Sequence, residues 1–233
     1  MNTLHKAGGI AALLHAVAYV VGIVLGVTLI FPILDANPGQ YVAFLAENQT
    51  LVYVWNLISY WGSAITLVVM ALALYRRLKD NSPALAQMAT VFGLIWAGLI
   101  IGSANLMLSD SGVIVSLYGN DPLQAAAMWP VFEAVENGIV SGNELVGSLW
   151  VLLISMAALR ARFARVFNCF GIAVSLVGIL TIIPSLVETT RMFFGPSMIV
   201  WSIWLGIVLL RSHPEQDSIE ARISARIVTS NPL

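Results

Sequence analysis

Cysteine, histidine and charge are all scarce in this sequence. Its 233 residues include one cysteine, three histidines, and 11 basic against 12 acidic side chains. The lone Cys169 excludes an intramolecular disulfide and any thiolate-rich metal or iron–sulfur centre. His15 is the only histidine inside a long apolar run, so a haem held by two histidines lacks its second ligand, and methionine is a poor substitute. No lysine interrupts those runs, which leaves a retinal-type Schiff base nowhere to form. No H-E-x-x-H, G-x-S-x-G, phosphate-loop or G-x-G-x-x-G pattern occurs, and the commonest hydrolase and nucleotide-binding chemistries go with them. A net charge of −1 with no basic run long enough to track a phosphate backbone argues against nucleic acid as a partner.

What remains is hydrophobic. Charged residues make up 10% of the chain and hydrophobic ones 59%, where a soluble domain carries about 25% charged residues. Crossing a hydrocarbon layer of roughly 30 Å takes about 20 apolar residues in a helix. Six stretches qualify, at about 7–34, 51–75, 84–108, 138–159, 166–187 and 192–210. Barrel strands would alternate polar and apolar over roughly ten residues, and these runs do not. The expectation is an all-α, polytopic membrane bundle of six transmembrane helices forming one domain, 1–211. The first run is too long for the roughly 7–15-residue core of a signal peptide and reads as an uncleaved anchor.

Charge supplies the orientation. Lys6, then Arg76, Arg77 and Lys79, then Arg160, Arg162 and Arg165, then Arg211, Arg222 and Arg226 fall on one side of the six spans. Arg191 alone falls on the other, with Asp35, Glu47, Asp110, Asp121, Glu133, Glu136 and Glu188. By the positive-inside rule both termini are cytoplasmic. The loop after the third span holds Asp110 and Asp121. Beyond it, Asp121-Pro122 reads as an N-cap with proline at the first helical position, and Pro130 should kink or end the helix that follows. The tail, 212–233, repeats Ile219, Ile223 and Ile227 every four residues, the pattern of a short amphipathic helix or of a solvated end.

Because lipid is as apolar as leucine, helix faces that pack in a bilayer are marked by small and weakly polar residues. Such stripes run through Gly8, Ala12, His15, Tyr19, Gly22 and Gly26; through Asn56, Ser59, Ser63 and Thr66; and through Gly98, Gly102 and Asn105. Others join Asn137, Ser141, Glu144 and Ser148; Gly171, Ser175 and Gly178; and Ser202 with Gly206. Close helix approach explains the glycines and serines. Asn56, Asn105, Asn143 and Glu144 ask for more, since all lie near the outward ends of their spans and share one depth, which outlines an outward-facing polar pocket. A carboxylate at that depth costs several kcal/mol unless it is paired, hydrated or protonated. Glu144 is therefore either a functional residue or a hydrogen-bonded tie to a neighbouring span. Arg191, the sole outward cation, is a candidate clamp for an anionic group, set against a screened pair with Glu188 worth at most ~1 kcal/mol. His15 is a candidate ligand residue or a helix-to-helix hydrogen bonder. Trp55, Trp61, Trp129, Trp150, Trp201 and Trp204 are expected near span ends as headgroup anchors.

The opening HKAGGIAALLHAVAYVVGI, the turn from MALALYRRLK into LAQMATVFGLI, and NGIVSGNELVGSLWVLLISMAALRARFARVFNCFGIAVSLVGIL together resemble the bacterial integral-membrane family called domain of unknown function 4386, over roughly His5 to Arg211. The resemblance lies in hydropathy rhythm and scattered Gly, Trp and Tyr positions, including Asn137-Gly138. It implies six spans in a bacterial inner membrane and no particular activity.

The reading that follows is a multi-pass inner-membrane protein whose partners are the bilayer and a small-molecule ligand, bound or passed at Glu144, Asn56, Asn105, Asn143, Arg191 and His15. No catalytic residue, metal or cofactor is assigned. The alternatives are a non-catalytic accessory protein whose stripes drive packing or homo-oligomerisation, and a membrane enzyme using Glu144 on a lipidic substrate. The orientation is testable on a Cys169→Ser background. Cysteines replacing Asn48 and Asn120 should react with an impermeant thiol reagent on intact cells, and one replacing Lys79 only after permeabilisation; the reverse pattern inverts the topology.

Overall fold

The computed structural model describes residues 2–34, 37–161, 164–183 and 185–211, with all their side chains except those of Asn2, Leu34, Ser141, Glu188 and Arg191. The expected tail helix at 212–233, Asp35, Arg162 and the Glu188–Arg191 side-chain pair fall outside the described residues. Among them every regular element is helical, as a chain that must satisfy its backbone hydrogen bonds within each membrane segment requires.

The first span is α1 (Asn2–Leu25), which passes through a widened π turn (Gly26–Ile30) into α2 (Phe31–Leu34). Asn37 then caps α3 (Pro38–Glu47), accepting from the Gln40 N–H at 2.9 Å, with Pro38 at the first helical position where its missing N–H costs nothing. The second span combines α4 (Gln49–Asn56), a second π turn (Leu57–Gly62) and α5 (Ser63–Leu78). The remaining spans are α6 (Pro83–Tyr118), α7 (Pro122–Arg160), α8 (Arg165–Ile179) with a closing 3₁₀ turn (Leu180–Ile182), and α9 (Val187–Arg211). Six of these helical stretches are long and apolar enough to cross a membrane.

Each span packs on the one before it, and α9 returns to pack on α1, so the six close into a ring in chain order. The ring has a basic end and an acidic end. Lys6, Arg76, Arg77, Lys79, Arg160, Arg165 and Arg211 lie at or near the first, while Glu47, Asp110, Asp121, Glu133 and Glu136 lie toward the second. At the basic end α1 and α9 approach closely: a Cβ on Gly9 would stand 3.2 Å from the Gly206 carbonyl oxygen and one on Gly206 3.0 Å from that of Gly9, with the Leu210 and Leu13 side chains nearer still.

Two sequence expectations are corrected here. Asp110 is not in a loop, because α6 continues unbroken to Tyr118, and α7 does not end at Pro130. With 36 and 39 residues these helices are roughly 54 and 58 Å long, well beyond the ~30 Å hydrocarbon layer. The overhang at the acidic end is stabilised by α3, which packs on both helices around Tyr41, Val42, Leu45, Trp55, Ile114 and Trp129. The second correction concerns the tryptophans. Trp150 and Trp201 are 0% exposed and Trp96 1%. Their rings form a chain through the core, Trp96 to Trp150 at 5.8 Å, Trp150 to Trp201 at 5.4 Å and Trp201 to Phe167 at 5.5 Å, on the side of the core toward the basic end. Position near a span end suggested headgroup anchoring for Trp150 and Trp201, but both turn inward beside the deeper Trp96, toward glycines that leave room for an indole.

Those glycines are tightly packed. A Cβ on Gly93 would meet Trp150 Nε1 at 2.6 Å, and one on Gly147 would meet Trp96 Cζ2 at 2.6 Å. Gly98 and Gly102, expected at the centre, face the outside with nothing within 4 Å of a Cβ. Gly93→Ala and Gly147→Ala should therefore each destabilise the folded chain by about 1–3 kcal/mol through overpacking. Gly98→Ala should stay within ~1 kcal/mol of the parent. Thermal unfolding in detergent, followed by tryptophan fluorescence, measures all three.

Candidate functional site

Toward the acidic end the ring interior is polar, and four spans contribute. From α1 come His15 and Tyr19; from the second span Asn56, Ser59, Ser63 and Thr66; from α6 Ser103; and from α7 Asn143 and Glu144. The π turn at Leu57–Gly62 lies between Asn56 and Ser63, changing the helical phase at which the two face the interior. Gly22 leaves space for Ser59, whose Oγ stands 2.8 Å from where a Cβ would be, and the Gly22 carbonyl oxygen accepts from Trp55 Nε1 at 3.0 Å.

The hydrogen bonds assign the direction of each polar group. The His15 ring, 1% exposed, places Nδ1 3.0 Å from the Ser63 carbonyl oxygen and 3.1 Å from Thr66 Oγ1. A carbonyl oxygen only accepts, so Nδ1 carries the proton, and in the neutral ring Nε2 is left as an acceptor. Asn56, also 1% exposed, donates Nδ2 to the Ala104 carbonyl oxygen at 3.2 Å, which turns its Oδ1 away from α6. One residue along, Ser103 Oγ donates to the Leu99 carbonyl oxygen and so receives the Asn143 Nδ2–H, at 3.2 Å, as an acceptor. Asn143 thereby also directs its Oδ1 away from its partner.

These orientations leave His15 Nε2, Asn56 Oδ1, Asn143 Oδ1 and Ser59 Oγ buried without a hydrogen-bond partner. Tyr19 stacks at 4.9 Å on His15 and lies within electrostatic reach of Glu144 and Tyr60, which links the two sides of the seam. Trp96, 6.3 Å from His15, closes it toward the basic end. Above the seam, Asp110 is 5% exposed with an unpartnered Oδ2, and Glu136 lies within electrostatic reach of Asp110 and Glu133. Burial first, then the nearby Glu136, Tyr60 and Glu133, hold the Tyr41 hydroxyl in its protonated form beyond the usual tyrosine range.

Of the residues expected to form a pocket, the structure brings together Asn56, Asn143, Glu144 and His15. It does not bring Asn105, which is exposed on the outer face of α6 beside Gly98 and Gly102, one helical face away from Ser103 and Ala104. Arg191 belongs to α9, and its side chain is outside the described residues. Ser59, Ser103 and Tyr19 were legible as members of polar stripes, though nothing in their spacing announced that they would share a seam. A separate surface groove of about 330 Å³, lined by residues including Leu45, Gln49, Thr50, Tyr53, Leu108 and Ser111, holds none of the expected site residues. Among the described residues no three His, Cys, Asp or Glu side chains come together as a metal centre.

Ring closure, six apolar spans and an interior polar seam define a polytopic α-helical membrane protein. The chain belongs to the family described as Domain of unknown function (DUF4386), whose model matches residues 7–212. No curated protein and no solved structure matches it.

The seam is not arranged for stability. Hydrogen bonds between membrane helices contribute about 0.6 kcal/mol on average, whereas a buried acceptor left unpaired costs about 1–3 kcal/mol. Asn56→Leu keeps the branching at Cγ and removes both the bond and the orphan oxygen. It should leave the melting temperature unchanged or higher, while a clear loss of stability would make Asn56 a structural tie.

Proposed function

We propose that this chain is a multi-pass protein of a bacterial inner membrane, with its acidic end outward, that binds or passes a small ligand at the interior seam. The observation that carries this reading is the set of buried unpartnered atoms on three residues from three different spans, His15, Asn56 and Asn143, together with Ser59. Atoms of this kind normally find a partner, and a small polar ligand or the water it replaces supplies one. Glu144 adds a carboxyl group within electrostatic reach of Tyr19. Catalysis is the weaker reading, since among the described residues no metal cluster forms.

A specific observation favours a second reading, in which the protein is an accessory component that self-associates. Gly98, Gly102 and Asn105 form a small and polar stripe that the chain itself leaves uncovered, and small-xxx-small faces with a polar residue support helix association in bilayers.

Water access separates the two. On a Cys169→Ser background, Ser59→Cys should react with a small water-soluble thiol reagent applied at the acidic end, and Glu144→Gln should fold normally. A dry, unreactive position 59 would end the ligand reading. If Gly98→Leu with Gly102→Leu then converts an oligomer to a monomer in light scattering while leaving the fold intact, the assembly reading takes its place.

A further inference from the structure

The register that joins Ser103 to Asn143 continues outward. Asp110 lies seven residues beyond Ser103 on α6, and Glu136 lies seven residues before Asn143 on the antiparallel α7. Seven residues are close to two helical turns, so both carboxyls keep the facing sides of their helices and arrive at one level. That level is just beyond the apolar stretches 84–108 and 138–159. Asp110 is 5% exposed there, with Oδ2 buried and without a hydrogen-bond partner. Glu136 is half-buried and within electrostatic reach of Asp110 and Glu133. Helix α3 packs on both helices at this end. Its Tyr41 ring is buried 4.5 Å from Trp129 of α7, within electrostatic reach of Glu136 and Glu133.

Nothing basic offsets these carboxyls. No lysine, arginine or histidine occurs from residue 16 to 75 or from 80 to 159, so α3, α4, the π turn at Leu57–Gly62, α6 and this half of α7 bring none. Arg76 and Arg77 of α5 and Arg165 of α8 stand at the opposite end, and Arg191 belongs to α9, which packs on α1 and α8. The titratable groups that do come from the surrounding elements are Tyr41 and Glu47 on α3, Tyr53 on α4 and Tyr60 in the π turn. To these are added Tyr118, Asp121, Glu133 and Glu144 along α6 and α7. All are acids or phenols. Burial disfavours the charged form of a carboxyl, and a second carboxylate nearby disfavours it further, so two such groups do not both ionise in the neutral range. Burial first, then Asp110 and Glu133, push the Glu136 carboxyl up to about 7, and burial raises Asp110 as well.

We infer that Asp110 and Glu136 form a proton-binding site in the overhang, holding one proton between the two carboxyls at neutral pH, and that its loss drives α6 and α7 apart and loosens α3. This site is separate from the interior seam and stands whether or not the seam takes a ligand. The folded chain holds the proton more tightly than the unfolded one. The stability linked to it is therefore complete below the ordinary carboxylate range and is lost as the pH rises through about 7.

Thermal unfolding of the full chain in detergent, from about pH 5 to about pH 9, tests this. The melting temperature of the parent should fall across the neutral range. Glu136→Gln, which removes the charge and keeps the shape, should remove that fall and be at least as stable as the parent at the alkaline end. Asp110→Asn should move the midpoint down by about one pH unit, because Glu136 stays buried but loses its repelling neighbour. A merely structural role for either residue would instead lower stability equally at every pH. Infrared difference spectra of the parent need no variant to fold: an acid carbonyl band should vanish over the same pH range, and it should be missing from the Glu136→Gln difference. Chymotrypsin cleavage within α3, at Tyr41 or Phe44, should accelerate above neutral pH in the parent relative to Glu136→Gln at each pH. Parallel melting profiles for parent and Glu136→Gln, or a parent without the carbonyl change, overturn the proton site. A carbonyl change with cleavage of α3 unaffected overturns its coupling to that helix.

Discussion

In hydrocarbon a polar atom has no water to fall back on, and this constraint organises the whole molecule. The backbone meets it by being helical, and the ring meets it by turning polar side chains inward, where another span can accept or donate. Serines and threonines solve the problem locally, bonding to the carbonyl four residues back, as Thr90, Ser148 and Ser175 do. Asn168 does the same with its amide, whereas His15, Asn56 and Asn143 reach across to another span, each with an N–H to an oxygen on the facing helix. Their remaining acceptors, His15 Nε2, Asn56 Oδ1 and Asn143 Oδ1, are buried on the ring interior.

Along the ring axis the interior divides in two. Toward the basic end it is filled by Trp96, Trp150, Trp201 and Phe167, large rings fitted against Gly93, Gly147 and Gly171. Aromatic pairs at these separations add about 0.5–1.5 kcal/mol each beyond the area they bury, and their fit to glycine leaves little room for rearrangement. Toward the acidic end the spans carry the two π turns and smaller polar side chains. Binding sites are drawn from the less tightly held parts of a structure, and the polar half, with its widened turns, has that character here.

How much of this was legible in the sequence depends on the length scale. Apolar run length and the alternation of basic and acidic turns were enough for six spans and two chemically distinct ends, since burial in lipid acts on every residue of a run. Asn56, Asn143, Glu144 and His15 were legible as interior residues because a polar group on a lipid-facing surface is costly. The same rule misplaced Asn105, Gly98 and Gly102: their spacing keeps one face of α6, but periodicity says which residues share a face and not which face turns inward. Trp150 and Trp201 were misread because distance from a span end fixes depth, while rotation about the helix axis decides between headgroup and core. The π turns left no trace, as they come from interhelical fit and not from propensity. Helix α3 did leave one, in Asn37-Pro38, and was passed over for want of an apolar run. Asp110 was assigned to a loop because charge was taken to mark the end of a helix, when it marked only the end of the membrane.

The closed aromatic half also bears on whether a ligand is bound or carried across. For a solute to pass from the seam to the basic end, the Trp96–Trp150–Trp201 chain has to open, separating two close ring pairs and uncovering three indoles that are at most 1% exposed. Occupation of the seam asks for much less. Its polar atoms are already oriented, and under the ligand reading proposed above a ligand there would replace missing hydrogen-bond partners. Under that reading, binding from one end without passage is the lower-energy behaviour of this architecture. Transport demands in addition that α1 and α9 part at their glycine contact, Gly9 against Gly206, to make room for the indoles. That contact lies at the basic end, where backbones approach most closely, and its small residues are the ones a moving interface would use.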